Sequence, residues 1–160
     1  VVHGRTRQQF YKGSADWAAI APVRAAVDIP VIANGDVTSP EGARRALELS
    51  GAAGVMVGRG AQGAPWALAE IAHRLYGAPA PRVPTGAALS DLVSEHYEAI
   101  LSFYGAALGL RIARKHLGWY GEKAGIDPAH RAAMMVASDP AQVFALIRAA
   151  FAAAPARRAA

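Results

Sequence analysis

The apolar positions of this chain change rhythm once, near residue 77. Before that point, short apolar runs alternate with segments of helical spacing; beyond it only helical spacing remains. The clearest unit lies between Val31 and Arg59. Val31-Ile32-Ala33 runs into Asn34-Gly35-Asp36, a helix-like segment follows, and Gly54-Val55-Met56-Val57 runs into Gly58-Arg59. Strand, loop, helix, strand and loop in roughly thirty residues predict a βαβ unit. The polar residues fall just past the carboxyl ends of the strands, where parallel α/β folds place ligands.

The flanking segments extend that alternation. Val1-Val2-His3 reads as the end of a buried strand, and a start inside a strand predicts an amino-terminal truncation. A polar loop from Arg5 to Ser14 leads to a helical pattern from Trp17 to Val27, in which Pro22 demands a kink or a late helix start. Ser39-Pro40-Glu41 is a helix entry with a capping hydroxyl and proline at the first position, and Gly51 closes that helix after Ser50. A third helix opens at Ala64-Pro65-Trp66 and reaches Tyr76. Three strands and three helices in this order predict a parallel sheet with right-handed crossovers. A closed eight-stranded TIM barrel needs about 250 residues, so only a portion of one fits here.

Residues 77–86, rich in proline and glycine, read as a linker. Four helices are predicted beyond it, over 87–104, 108–124, 128–137 and 140–152, with Asp127-Pro128 and Asp139-Pro140 as caps. The predicted fold is therefore α/β plus all-α: a partial barrel over 1–76, then a small helical bundle over 87–152. The tail, 153–160, is expected to fray.

Composition narrows the classes. Hydrophobic residues make up 53% of the 160, enough for a packed core. No cysteine is present, so neither a disulfide framework nor a thiolate metal site is available. No secretory apolar segment or membrane-length run appears, which predicts a cytoplasmic protein without membrane partners. The formal charge of +5 and pI near 10.0 are compatible with nucleic acid without specifying it.

Candidate chemistry sits in three strand-end clusters and on one helix. Asn34-Gly35-Asp36 and Gly58-Arg59 combine glycine, which lets a backbone N–H approach an anion, with a guanidinium fork. A phosphate-bearing cofactor or substrate suits them; two ordinary βα turns with a surface arginine suit them as well. His3-Gly4-Arg5-Thr6 adds a third cluster on the same rim, where a histidine could donate to a ring carbonyl or a phosphate. No nucleophile triad or metal-ligand spacing is apparent. On the 108–124 helix, Leu110, Ala113, Leu117, Tyr120 and Ala124 share an apolar stripe. Arg111, Arg114, Lys115 and Trp119 fall opposite, with His116 and Lys123 at the border and Glu122 the only acid. Cations interleaved with an aromatic suit phosphate contact and base stacking. An ordinary solvated face is the alternative.

With those residues in view, the chain resembles the tRNA-dihydrouridine synthases, the bacterial B-type in particular. The resemblance rests on His3-Gly4-Arg5-Thr6, Ile32-Ala33-Asn34-Gly35-Asp36, Val55-Met56-Val57-Gly58-Arg59-Gly60 and Ala113-Arg114-Lys115-His116-Leu117-Gly118-Trp119-Tyr120, in matching order and spacing. It covers nearly the whole chain as the family's carboxyl-terminal half. It implies an FMN-bound TIM barrel followed by a helical tRNA-binding domain, with NADPH recharging the flavin and hydride passing to C6 of a uridine. His3, Asn34, Gly35, Asp36, Gly58 and Arg59 would then bind FMN, and Arg111, Arg114, Lys115 and Trp119 would face tRNA. The family's general-acid cysteine, its flavin-contacting lysine and its first strands are expected upstream of Val1. As it stands the chain is expected to be inactive.

Two other readings remain at this level: a stand-alone RNA-binding module, and part of another FMN-barrel dehydrogenase acting on a small molecule. A partial barrel would also leave strand edges open, so self-association through Val31–Ala33 or the opening strand, or a rearranged sheet, is expected, where the full-length enzyme would be monomeric.

Overall fold

The computed structural model describes residues 1–152, and the tail expected to fray lies outside them. The chain divides into two compact units, one spanning Val1–Pro81 and the other beginning at Arg82.

The first unit holds three short parallel strands: β1 (Val2–His3), β2 (Ile32–Asn34) and β3 (Gly54–Met56), in the order β1-β2-β3. Ala33 pairs with Val2 on one side and Val55 on the other, and Asn34 pairs with His3 and Met56. The parallel register therefore delivers the three strand ends to one rim. β2 is the central strand, with both edges occupied, so the expectation that Val31–Ala33 offers a pairing edge is wrong. Among the described residues the outer edges belong to β1 and β3.

The helices start and stop where local chemistry directs. In α1 (Ala21–Ala25), Pro22 stands in the first turn behind a 3-10 turn at Ala18–Ile20, so proline delays the helix rather than kinking it. The Ser39 hydroxyl accepts from the Gly42 N–H at 3.1 Å, opening α2 (Pro40–Ser50), and left-handed Gly51 ends it. α3 (Ala67–Tyr76) ends on left-handed Gly77. Val37, Ala43, Ala46 and Ile71 form one buried cluster with Trp17, Val55, Val57 and Leu75 packed against it. Ile20, Val31 and Ala33 form a second, flanked by Val2, Trp17 and Ala52. Trp17 belongs to both, and its indole N–H donates to the Gly35 carbonyl at 2.8 Å, fixing the loop after β2.

The second unit is all helix: α4 (Gly86–Tyr104), α5 (Ala106–Ala124), α6 (Pro128–Val136) and α7 (Pro140–Ala152). Val93 and Tyr97 of α4, Ala113, Leu117 and Tyr120 of α5, Met134 of α6, and Val143, Ile147 and Phe151 of α7 are buried. The Asp127 carboxylate accepts from the Ala129 and His130 N–H groups and caps α6. α4 and α5 pass over Gly105 with almost no loop. The turn works because Gly109 packs against Leu101, where a Cβ would lie 3.0 Å from the Leu101 Cα. Two long amphipathic helices thus bury a shared stripe and leave their outer faces to solvent.

Candidate functional site

The rim of the α/β unit encloses a cleft of about 550 Å³. His3, Asn34, Gly35, Asp36, Gly58 and Arg59 all line it, joined by Tyr11, Val37, Thr38, Gly60 and Gln62. The six rim residues singled out from sequence therefore share one concavity, His3 reaching it from the end of β1, Asn34, Gly35 and Asp36 from the end of β2, and Gly58 and Arg59 from the loop after β3.

Their side chains play unequal parts. Asn34 donates its amide to the Met56 carbonyl at 2.8 Å, tying β2 to β3 and leaving its Oδ1 as acceptor. His3 Nδ1 accepts from the Arg5 N–H at 3.0 Å, so the neutral ring carries its proton on Nε2. Gly35 has φ 113°, and a Cβ there would stand 3.1 Å from the His3 ring. Glycine is needed at this point for conformation and for space alike. Gly60 is needed for space alone: a Cβ would meet the Val37 carbonyl oxygen, so only a bare backbone lets the loops after β2 and β3 touch.

Asp36 is the electrostatic hub. Its carboxylate receives both terminal nitrogens of Arg5, at 3.0 and 2.5 Å, and the Ala15 N–H at 2.8 Å. The Arg5 hydrogen bonds, with Ala15 and the positive charge of Arg59 assisting, hold its carboxyl below the ordinary value of 3.8 against the opposing effect of desolvation. Arg59 stands 3.7 Å from the same carboxylate, 59% exposed, with its guanidinium 4.8 Å over the Tyr11 ring. Arg59 is thus the accessible cation of the cleft, and the two arginines outweigh the single carboxylate. That donor set fits a phosphate monoester. Arg5 and Tyr11 escaped the sequence reading as site residues, although Arg5 lies inside the His3-Gly4-Arg5-Thr6 cluster that marked the rim.

On α5 the apolar stripe holds as expected, with Ala113, Leu117 and Tyr120 buried. Arg111 and Lys115 are exposed, and among the described residues neither enters an ion pair. Arg114 differs from its expected place on the open face. It is half-buried, and its Nη2 donates to the Ala137 carbonyl at 3.3 Å, at the end of α6. Ala137 sits one residue past that helix, so Arg114 serves a carbonyl left without a partner at a helix terminus. Trp119 is also half-buried, its ring edge-on to His116 at 5.1 Å; His116 in turn meets His96 at 4.8 Å, and His96 Nδ1 lies 3.1 Å from the Tyr120 hydroxyl. Burial lowers the pKa of both histidines from 6.5, and for His116 the neighbouring His96 adds to the effect. Among the described residues no group of three or more His, Asp or Glu could hold a metal ion, and no helix is long and apolar enough to cross a membrane.

Fold and cleft together define a parallel β/α unit with an anion-ready rim, attached in sequence to a helical unit with a basic face. The sequence comparisons give that class a family. The model for dihydrouridine synthase matches residues 1–155, and the chain belongs to that family. It is 68% identical over 151 residues to a probable tRNA-dihydrouridine synthase of Rhodobacter capsulatus, covering 94% of this chain and 46% of the relative. It is 50% identical over 142 residues to a probable tRNA-dihydrouridine synthase of Rickettsia conorii, covering 89% and 43%. With tRNA-dihydrouridine synthase B of Xanthomonas axonopodis pv. citri it shares 47% over 147 residues, covering 92% and 44%. The chain thus spans less than half the length of these curated relatives.

Proposed function

We propose that this chain is a portion of a flavin-dependent tRNA-dihydrouridine synthase, its α/β unit the last part of an FMN-binding TIM barrel and its helical unit a tRNA-binding domain. The observation that carries the reading is the convergence of His3, Asn34, Gly35, Asp36, Gly58 and Arg59 on one cleft in a chain of this family. Reduced FMN, recharged by NADPH, supplies when bound the hydride that converts a tRNA uridine to 5,6-dihydrouridine. Arg59 holds the cofactor's phosphate by a charge-assisted fork, and Gly58 lets the backbone approach it. His3 offers its Nε2 proton, while Asn34 keeps the strand ends in register. Asp36 orients the two arginines rather than touching an anion of its own sign.

On α5, Arg111 and Lys115 contact phosphates and Trp119 stacks on a base; Arg114 supports the α5–α6 packing. The family's general acid is a cysteine, and this sequence contains none, so the chain alone does not turn over. Alone it also binds FMN weakly or not at all, because the rim supplies only part of the ring contacts. The test is a chimera. Residues 1–155 replace the aligned segment of the Rhodobacter capsulatus protein, and flavin content and dihydrouridine formation are measured. A yellow chimera that reduces tRNA uridine is the expected result, with Arg59→Ala losing flavin. A folded chimera lacking both properties overturns the proposal.

A further inference from the structure

Arg5 has a side chain only 4% exposed, yet it stands on the rim of a polar cleft. Its Nε donates to the Lys12 carbonyl at 3.2 Å and its Nη2 to the Gly13 carbonyl at 2.6 Å, while Nη1 and Nη2 fork the Asp36 carboxylate. Arg59 stops 3.7 Å from Oδ1 of that carboxylate, beyond hydrogen-bond reach. One carboxylate therefore faces two guanidiniums and is bonded to the buried one. A phosphate entering the cleft carries the same sign as Asp36 and competes with it for Arg59.

We infer that Arg5 is a positioning residue: by forking Asp36 it neutralises the carboxylate and keeps Arg59 available to an incoming phosphate. The inference rests on the cofactor reading above and adds to it the device that makes the anion site work. Without Arg5, the Asp36 carboxylate draws Arg59 into a direct ion pair, and the cleft loses its accessible cation. With Arg5 present, Asp36 fixes the loop after β2 through the Ala15 N–H at little electrostatic cost to the site. The alternative is that Arg5 merely pins the loop at Lys12 and Gly13. In that case its loss would act on the loop and not through Asp36.

A double-mutant cycle separates the two, read without any ligand. The 160-residue chain is treated with phenylglyoxal, and the modification rate of Arg59 is followed by peptide mass spectrometry. Arg5→Met slows Arg59 modification about fivefold, the order of one partly exposed ion pair. Asp36→Asn alone leaves the rate near that of the parent, and Arg5→Met/Asp36→Asn restores it. An unchanged Arg59 rate in Arg5→Met, or a double variant as slow as the single one, overturns the inference.

If Arg5→Met unfolds the unit, the Asp36 titration decides, followed by carbon NMR in Arg59→Met. The carboxyl rises only by the small share that Arg59 supplies and stays below the ordinary carboxylate range if Arg5 is its main partner; a return to that range overturns the inference. Protection of Arg59 by FMN but not by riboflavin, measured in the chimera with the Rhodobacter capsulatus protein, is a separate arm. Its failure tells against the cofactor reading alone, while the cycle still rules on Arg5.

Discussion

The cleft of the α/β unit and the outer face of α5 both carry positive charge, but they hold it in opposite ways. In the cleft every charge has an assigned neighbour: Arg5 forks Asp36, Asp36 faces Arg59, and Arg59 lies over Tyr11. The backbone closes around them so tightly that Gly60 has no room for a methyl group. On α5, Arg111 and Lys115 extend into solvent, and Gly118 beside them would meet nothing within 4 Å if it carried a Cβ. A site that must bind one small anion in one pose needs preorganised charge, and rigid strand ends provide it. A face that meets a polyanion gains from cations with freedom to move, because phosphate contacts are many and tolerant of position. The contrast follows from the elements themselves, since parallel strands converge their ends and a helix spreads its residues along a line.

Breaking the cleft should have the largest effect. Gly60→Ala forces a methyl group onto the Val37 carbonyl and should destabilise the α/β unit by about 3 kcal/mol, the upper range for overpacking. Denaturant unfolding resolved by hydrogen exchange would show β2 and β3 losing protection while α4 and α5 keep theirs. Equal protection in parent and variant would mean that the loops after β2 and β3 do not need their close approach.

Next comes the face of α5. Replacing Arg111 and Lys115 together by Ala should flatten the slope of log K against log salt for tRNA by roughly two units, one per phosphate contact. The bundle should remain folded, since both side chains are exposed. Trp119→Ala should weaken binding with the slope unchanged, as lost stacking would. Gel-shift titrations at several salt concentrations read both, and a double variant with the parent slope would return this face to ordinary solvation. Arg114→Ala sharpens the distinction: its loss should lower bundle stability by about 1 kcal/mol through the Ala137 carbonyl.

The units should also part company in acid. His96 and His116 titrate below the ordinary 6.5 in the folded protein, so the unfolded chain binds more protons. Their contribution to the helical unit is complete above pH 6.5 and is lost as pH falls through their lower folded values. Asp36 is likewise depressed, from 3.8, so its contribution to the α/β unit disappears only further into acid. Hydrogen exchange at pH 7 and pH 5 should find α4 and α5 weakened first. Simultaneous loss of β2 protection over the same range would contradict the assignment of the two titrations to separate units.

The smallest effect is a gain. Gly118→Ala, in mid-helix with open space around it, should stabilise the helical unit by about 0.5 to 1 kcal/mol. Thermal unfolding would record it, and a loss of stability would show that the position needs its glycine for packing.

Much of this was legible in one dimension. Ser39 and Gly51 bracket α2, Asp127 caps α6, and the alternation of apolar runs with helical segments marks a parallel β/α unit, because these signals act over a few residues. The rim residues were legible too, since a strand end is set by local pattern and parallel strands align their ends. Some boundaries shifted by a residue or two, as at β2, where hydrogen bonding to both neighbours extends the strand to Asn34, and α1 and α3 start later than expected, at Ala21 and Ala67.

What the sequence could not carry was the division of labour within each cluster. A helical projection puts Arg114 opposite the apolar stripe; only the position of the end of α6 turns it inward onto Ala137. Arg5 reads as one more loop cation until the fold brings Asp36 to it across 31 positions of chain. That β2 is central, not an edge, depends on strand order, which no local pattern encodes. Local propensity determined where elements begin and end. Which charges meet was decided by tertiary packing, because a carboxylate takes the partner that geometry places beside it, whatever its distance in sequence.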